Sequence, residues 1–292
     1  MTRNVDCSTL YPADIVRVNQ GGSRIDVSLT ELAGSAVQDA ALAARSLSRP
    51  VLYANTLTKW PNARSKVRSG STNARIALYG DSKTAGAGAG TGAQFMDGAF
   101  PKSRAYRMGQ LLVAAGTPTI LDTWFGAAEL ATVANVLAYD TRRTGFSGWT
   151  LGNLTMGGRF MSCANTNPGN FQPSKPVDRC SVFHLKGVAE GQFTVSKGAE
   201  TFPVTSLAGT SSLERFEIQF TTKDANPIII TRTTSPSTNQ IDICGMVAWD
   251  SAAPGVELAN FGRYGITSAA AAAVGNPWSP LTALGTYAPD LT

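Results

Sequence analysis

Residues 74–90 read ARIALYGDSKTAGAGAG, an apolar run that leads into a Gly-Asp-Ser turn and then into a stretch of glycine and alanine. The apolar run predicts a buried strand, and the patterns that follow predict a helix over about 103–115 and a strand over Thr119–Trp124. Strand, helix and strand in this order predict the opening of a parallel α/β sheet. Ser82 would then lie at the carboxyl edge of that sheet, where open α/β folds bind their ligands.

The α/β pattern stops after this point and returns only near the end of the sequence. From about Phe146 to Trp249 the chain consists of short alternating segments between Gly, Pro and Ser turns, and the clearest of them is Phe216–Phe220. Strands at this spacing without a helical pattern predict a β-sandwich. The run VELANFGRYGITSAAAAAVG at 256–275 then predicts a strand, a glycine turn and an alanine helix. We therefore expect an all-β insertion inside an α/β domain.

A small module is predicted ahead of the α/β domain. The alternating apolar residues on both sides of Gly21-Gly22 predict a β-hairpin, and the capping-box spacing from Ser28 to Glu31 opens an Ala/Leu-rich helix over about 29–48. Periodicity is lost over 50–73, which indicates a linker. The predicted organisation is an N-terminal module (1–50), a linker (51–73), the first part of the α/β domain (74–135), the β-sandwich insertion (136–250) and the remaining part of the α/β domain (251–292).

Composition excludes several classes of protein. The chain has 292 residues, of which 43% are hydrophobic and 15% are charged; this is enough apolar surface for packed cores and excludes a disordered protein. The net charge is +5, but the basic residues are scattered singly, which argues against nucleic-acid binding. Because no window approaches about 18 uninterrupted apolar residues and no signal-peptide pattern opens the chain, we expect neither membrane insertion nor secretion.

The four cysteines and the single histidine limit the chemistry further. No Cys-x-x-Cys pair is present, which excludes zinc-ribbon and thioredoxin-like sites, and we expect no metal and no cofactor. Cys163 and Cys180 flank one loop and could be bridged, although reduced thiols are the default in a chain without an export signal. The stretch 85–94 lacks the Gly-Lys-Ser/Thr ending of a phosphate-binding loop and is expected to rim the serine site. Asp122 and Asp140 are isolated acids with no visible partner.

Two strand–turn–helix blocks give the sequence a family resemblance. Tyr79–Gly86 and Asn260–Thr267 together resemble the nucleophile block and the glycine block of the SGNH (GDSL-type) hydrolases. The resemblance implies a flavodoxin-like parallel sheet in which Ser82 is the nucleophile and Asp81 supports its turn. It also implies an oxyanion hole built from the backbone N–H groups of Ser82 and Gly265.

The insertion and the N-terminal module add a second resemblance. The β-rich stretch, with its Gly148-Trp149 entry and Pro254-Gly255-Val256 return, resembles the jelly-roll, carbohydrate-binding-like insertion of esterase-type bacteriophage tail proteins. The run GGSRIDVSLTELAG at 21–34 is similar to a segment at the heads of phage tail and fibre proteins. This resemblance implies a virion tail fibre or tailspike protein that is made in the host cytoplasm and forms homo-oligomers such as trimers. Its N-terminal module would bind other tail proteins, and its α/β domain would deacetylate or bind a bacterial surface polysaccharide.

Two blocks of the SGNH pattern are absent from this sequence. The family uses an Asn as a third oxyanion donor and a late Asp-x-x-His as the base for the serine, whereas His184 lies in the alternating segment CSVFHLKG and is expected to be structural. Three explanations stay open: a longer protein that continues past Thr292, a second polypeptide that completes the site, or a degenerate hydrolase fold. The first is favoured, because an open sheet that ended there would leave unpaired edges. The alternative to an esterase is an inactive virion component that adheres to glycan.

Overall fold

The structure is a computed structural model. It describes residues 15–20, 23–28, 54–92, 95–126, 128, 130–206, 208–233, 239–265 and 274–292. Contacts divide the chain into two units, Met1–Asn62 and Ala63–Thr292, and each unit is considered by itself.

The strands and helices of the described residues follow the chain in this order. The strands are β1 (Ile15–Gln20), β2 (Ser23–Ser28), β3 (Ala74–Gly80), β4 (Thr119–Ile120), β5 (Thr123–Phe125), β6 (Arg143–Gly145), β7 (Thr150–Thr155), β8 (Gly158–Cys163), β9 (Gly169–Phe171), β10 (Val177–Lys186), β11 (Gln192–Lys197), β12 (Glu200–Thr205), β13 (Ser212–Asp224), β14 (Ile228–Arg232), β15 (Ile241–Trp249) and β16 (Val256–Gly262). The helices are α1 (Ala54–Arg68), α2 (Ser82–Ala85), α3 (Arg104–Ala114), α4 (Val133–Tyr139) and α5 (Pro280–Tyr287), with a 3₁₀ helix at Phe100–Lys102. Within the described part of the chain, no helix is long and apolar enough to cross a membrane.

The N-terminal hairpin is confirmed. β1 and β2 pair antiparallel, with Ile15 opposite Ser28 and Gln20 opposite Ser23. The predicted helix over 29–48 and the predicted alanine helix after Gly265 lie outside the described residues.

The segment 51–73, predicted as a linker from its loss of periodicity, contains the helix α1. Ala63 and Val67 lie one helical turn apart and are both buried. Two small apolar residues among Arg, Lys and Ser give little periodicity to detect, and Pro61, a residue that normally interrupts helices, lies inside the helix. The local sequence pattern therefore does not predict this helix, which is stabilised by the burial of one of its faces.

The first strand of the α/β domain has a parallel neighbour on both of its edges. β3 pairs with β16 so that Gly80 lies opposite Gly262, and β16 pairs in turn with β4. On the other edge of β3, Leu291 forms a parallel bridge with Ile76. The two predicted strands on either side of the insertion are thus adjacent in one parallel sheet. The predicted helix after β3 is also present as α3, and the Ser103 hydroxyl caps it by accepting the Tyr106 N–H.

The apolar run Thr119–Trp124, predicted as one strand, is divided between two sheets. β4 pairs in parallel with β16, whereas β5 pairs antiparallel with β15 of the insertion. Asp122 lies between them and is buried, and its carboxylate accepts hydrogen bonds from the Ser174 N–H at 2.8 Å and the Ser174 hydroxyl at 3.0 Å. These bonds hold the chain where it crosses from the parallel sheet into the insertion.

The insertion forms two antiparallel sheets that pack face to face. One has the order β13-β10-β15-β8-β7 with β5 added against β15, and the other has the order β12-β11-β14-β9-β6. Their facing apolar side chains belong to one buried cluster, which includes Phe193, Ile230, Val182 and Ile243. The predicted alternation in Phe216–Phe220 is present, since Ile218 and Phe220 are buried while Glu217 and Gln219 are exposed. The expected start of the insertion at 136 falls inside α4.

An aromatic cluster joins the sandwich to the parallel sheet. The Phe125 ring lies 4.9 Å from Phe261 of β16, 5.2 Å from Phe183 of β10 and 5.4 Å from Tyr287 of α5, measured between centroids. Edge-to-face aromatic pairs of this kind add about 0.5–1.5 kcal/mol each beyond the area that they bury. The sandwich is therefore packed into the α/β part rather than attached by its ends alone.

Cys163, Cys180 and Cys244 are buried free thiols, so the 163–180 pair is not bridged.

Candidate active site

Ser82 lies at the carboxyl edge of the parallel sheet, at the strand where the sheet's connections change direction. It is the first residue of α2 and follows β3 after only Asp81. After β3 the chain forms β4 and β16, which lie on one side of β3. It then continues to Leu291, which pairs on the opposite side of β3. In open α/β sheets, such a point forms a crevice in which ligands bind. Ser82 is half-buried, and its hydroxyl has no hydrogen-bond partner among the described residues.

Asp81 holds the turn that presents Ser82. It is the N-cap of α2, and its Oδ1 accepts the backbone N–H groups of Lys83 at 3.0 Å and Thr84 at 3.3 Å. This is the geometry expected of an aspartate that satisfies the free donors of a first helical turn. α2 ends after one turn at Gly86, which has a left-handed backbone (φ 103°). The Gly86 N–H donates to the carbonyl oxygens of Ser82 and Lys83.

Two glycines let α2 lie directly against the strand ends. A Cβ on Gly80 would lie 2.3 Å from the Thr84 Oγ1, and a Cβ on Gly262 would lie 2.2 Å from the Ala85 backbone nitrogen. Both distances are far below van der Waals contact, so any side chain here would push α2 away. The glycines at the ends of β3 and β16 thus set the position of Ser82 above the sheet.

A buried hydrogen-bond chain fixes the other end of α2. The Tyr139 hydroxyl donates to the Ala85 carbonyl oxygen at 2.8 Å and accepts from the Asn260 Nδ2 at 3.2 Å. The Asn260 Oδ1 in turn accepts the Gly262 N–H at 3.0 Å. Burial raises the pKa of Tyr139, so the hydroxyl keeps the proton that it donates. α4, β16 and α2 are joined through these groups at the edge that carries Ser82.

Gly265 lies at the same edge of the sheet, three residues past the end of β16. It is exposed, has a left-handed backbone (φ 67°) and would accommodate a Cβ without a contact. The preceding Tyr264 N–H donates to the Ala128 carbonyl oxygen at 3.1 Å, and the Arg263 N–H donates to the Gly80 carbonyl oxygen at 3.0 Å. The structure thus brings the two sequence blocks to one edge, but no hydrogen bond joins Gly265 to Asp81 or Ser82.

His184 belongs to the sandwich and is engaged there. Its side chain is fully buried, its Nδ1 lies 2.8 Å from the Ser206 hydroxyl, and its ring packs edge-on against Phe193 at 5.2 Å. Burial lowers the pKa of His184 to about 4, although the charge of the Glu214 carboxylate acts to raise it. The ring is therefore neutral at pH 7. The one imidazole of this chain is therefore a structural group of β10, as expected.

The expectation that Asp140 has no partner is wrong. Arg142 binds it through both carboxylate oxygens at 2.9 Å, and also donates to the carbonyl oxygens of Leu121 at 2.9 Å and Thr123 at 2.8 Å. Burial alone would raise the pKa of Asp140, but the charge and hydrogen bonds of Arg142 outweigh it and lower the pKa below its ordinary value. The pair fixes the C-terminal end of α4, the helix that carries Tyr139.

Asp122 is also bound rather than isolated. Besides its two bonds to Ser174, its Oδ1 lies 3.5 Å from the Arg142 Nη1. One guanidinium therefore connects both aspartates, and its carbon lies 4.1 Å from the centroid of the Phe100 ring. Sequence reasoning missed this arginine because a single Arg in a turn carries no motif; the Asp-x-Arg spacing at 140–142 was the available signal.

No protein-family model matches the chain, and no curated protein sequence matches it. Among solved structures, a peptidoglycan O-acetylesterase is similar over 72% of this chain and 52% of its own, with 20% identity and a TM-score of 0.44. A family two carbohydrate esterase from Cellvibrio japonicus is similar over 43% of this chain and 33% of its own, with 8% identity and a TM-score of 0.31.

CsCBM6-3 from Clostridium stercorarium, solved in complex with cellobiose, is similar over 46% of this chain and 98% of its own, with 10% identity and a TM-score of 0.30. The chain spans about half the length of the O-acetylesterase and a third of the length of the carbohydrate esterase.

Within the described residues, no group of three or more His, Cys, Asp or Glu side chains is arranged to hold a metal ion.

Proposed function

We propose that this protein is built to hydrolyse an ester, most simply an acetyl ester of a polysaccharide, with Ser82 as the nucleophile. The observation that carries the proposal is the placement of Ser82: a half-buried hydroxyl without a partner among the described residues, on a capped turn at the switch point of a parallel sheet. The hydroxyl of Ser103, by contrast, has a structural role, since it caps α3 by accepting the Tyr106 N–H. The resemblance of the two blocks to SGNH hydrolases supports the same role.

The chemistry follows from that position. The Ser82 Oγ would attack the ester carbonyl carbon while a base takes its proton, and the sugar hydroxyl would leave with a proton to give an acyl-serine. Water would then attack the acyl-serine, release the carboxylic acid and restore the hydroxyl. The negative oxygen of each tetrahedral intermediate needs donors, and the Ser82 N–H, at the first position of α2, and the Gly265 N–H are our candidates.

The base for Ser82 is not His184, because that ring is buried in β10 and bonded to Ser206. An activated serine requires a base within hydrogen-bond reach. We propose that the base comes from residues outside these 292, either in a longer form of the same protein or in a second polypeptide.

The setting that we propose is a bacteriophage tail. The order of the blocks, the β-sandwich between them and the N-terminal segment 21–34 support a fibre or tailspike protein of the virion, whose module 1–50 binds other tail proteins. The flavodoxin-like sheet and the jelly-roll insertion belong to the same proposal. The substrate or ligand would be a glycan of the bacterial surface, and the assembly a homo-oligomer such as a trimer.

A second function is favoured by the position of His184. A chain whose single imidazole is engaged in the sandwich could bind glycan without hydrolysis, as an adhesion component of the same particle. Binding to acetylated polysaccharide that Ser82→Ala leaves unchanged, with no acetate released by either protein, would support this function.

The test is acetate release from O-acetylated bacterial polysaccharides by the complete gene product. Ser82→Ala should abolish the release, whereas Ser211→Ala, which changes an exposed serine just before β13, should not. Release that persists in Ser82→Ala, or no release by the complete product on any acetyl ester, would remove the esterase proposal.

A further inference from the structure

The loop that follows α2 presents an aromatic ring to solvent. Phe95 has 66% of its surface exposed, the largest exposed fraction among the aromatic rings of the described residues. Its backbone is left-handed (φ 53°), a conformation that bulky residues rarely adopt. An exposed ring gains little from folding, and an unfavourable backbone adds a cost, so the fold itself does not explain this residue. Residues held in such conformations cluster at ligand-binding sites.

The loop is fixed around Phe95 by hydrogen bonds. Thr91 and Asp97 form an antiparallel bridge, with N···O distances of 3.1 and 2.9 Å, and the Gly90 N–H donates to the Phe95 carbonyl oxygen at 2.9 Å. The next residue, Met96, is fully buried and anchors the loop in the core. Lys102 donates to the Ala89 carbonyl oxygen at 2.8 Å. Phe95 is thus an exposed ring whose own N–H and carbonyl oxygen are bonded to the backbone of Gly92 and Gly90.

The same loop is bonded to the Ser82 turn. The Ala87 N–H donates to the Ser82 carbonyl oxygen at 2.8 Å, and the Ala89 N–H donates to the Gly86 carbonyl oxygen at 3.1 Å. The described residues from Gly86 to Met96 have no charged side chain, but the carboxylate of Asp97 lies beside Gly92, and the Lys102 ammonium is bonded to the Ala89 carbonyl oxygen. A ligand held here would meet an aromatic face, backbone groups and a carboxylate, which suits a neutral ring with C–H faces better than an anion.

We propose that Phe95 is a stacking platform for a neutral pyranose ring, the ring that carries the ester presented to Ser82. The inference rests on the proposed function, because Phe95 belongs to the loop whose Ala87 N–H is bonded to the Ser82 carbonyl oxygen, and it names the substrate class: an uncharged O-acetylated sugar. Aromatic side chains combine a large apolar face with little rotamer freedom, which makes them effective contacts for such rings.

Affinity gel electrophoresis of the full chain in gels containing acetylated xylan, with acetylated alginate as the charged comparison, tests the proposal. Phe95→Ala should weaken retention by acetylated xylan about tenfold, and Phe95→Trp should preserve it. Val188→Ala, which removes an equally exposed apolar side chain from the sandwich, should behave as the unsubstituted chain. Thermal unfolding of each variant establishes that it is folded.

Ser82→Ala separates this inference from the proposed function. The Ser82→Ala chain should still bind acetylated xylan. The complete gene product with the same substitution should release no acetate. If Phe95→Ala is retained like the unsubstituted chain, or if that chain is retained only by alginate or by neither gel, the stacking role is wrong. If Ser82→Ala keeps full acetate release while Phe95→Ala loses retention, the esterase proposal fails and the sugar platform stands.

Discussion

The hydroxyl of Tyr139 donates a 2.8 Å hydrogen bond to the carbonyl oxygen of Ala85, across 54 positions of sequence. The bond joins the last residue of α4 to the last residue of α2, the one-turn helix that begins at Ser82. Asn260 donates to the same hydroxyl from β16. The candidate nucleophile is therefore held by buried polar groups from two other elements, and not by its own turn alone.

Tyr139→Phe should lower the free energy of unfolding by about 1–2 kcal/mol, because it removes the donor to Ala85 and leaves the Asn260 amide without its acceptor in a buried place. Denaturant titration with an unchanged m-value measures the loss. Tyr106→Phe is the matched control: this ring packs on Phe100, and its hydroxyl has no hydrogen bond among the described residues. Equal stability of the two variants would show that the buried bond contributes nothing.

Arg142→Met should destabilise the protein by about 3–5 kcal/mol, because it leaves the buried carboxylate of Asp140 without its bidentate partner. Without the Arg142 charge the pKa of Asp140 should rise, so the deficit should shrink when the unfolding titration is repeated at lower pH. Arg107→Met removes an exposed guanidinium and should change stability by less than about 0.5 kcal/mol. A deficit that does not vary with pH would contradict the role of Asp140.

Local pattern predicted the parts of the site that are contiguous in sequence. The strand–turn–serine of 74–82 and the strand of 256–262 could be found because each combines an apolar run with a glycine turn. The Tyr139–Asn260 and Asp140–Arg142 contacts could not, since the first joins distant positions and the second lies in a turn without periodicity. The split of Thr119–Trp124 was hidden for a related reason: one apolar run serves two sheets, and only the buried Asp122 marks the crossing.

The pH dependence of stability should carry a contribution from His184. Its pKa is lowered to about 4 in the folded protein, while an unfolded chain titrates near about 6.5. Between these values the unfolded chain binds a proton that the folded protein does not, so the free energy of unfolding falls as pH is lowered from about 6.5 to about 4 and then levels off. The expected contribution is about 3 kcal/mol.

His184→Asn isolates this term, because an amide can replace the contact of Nδ1 with Ser206 but does not titrate. Glu214 and Lys186 face the ring and remain in both proteins. Urea titrations at several pH values should show a shallower loss of stability for the variant between about pH 6.5 and 4. Parallel curves for the two proteins would mean that the pKa of His184 is the same in the folded and unfolded states.

Gly262→Ala should displace α2, because the new Cβ would lie 2.2 Å from the Ala85 backbone nitrogen and 2.6 Å from the Thr84 carbonyl carbon. Both neighbours are backbone atoms, so relief requires movement of the turn that carries Ser82, and we expect a loss of about 1–3 kcal/mol in denaturant titration. Gly285→Ala adds the same methyl group inside α5, where nothing lies within 4 Å, and should be neutral or stabilising by up to about 1 kcal/mol. If both variants are equally stable, the close approach of α2 to the strand end does not constrain Ser82, and the argument from its fixed position fails.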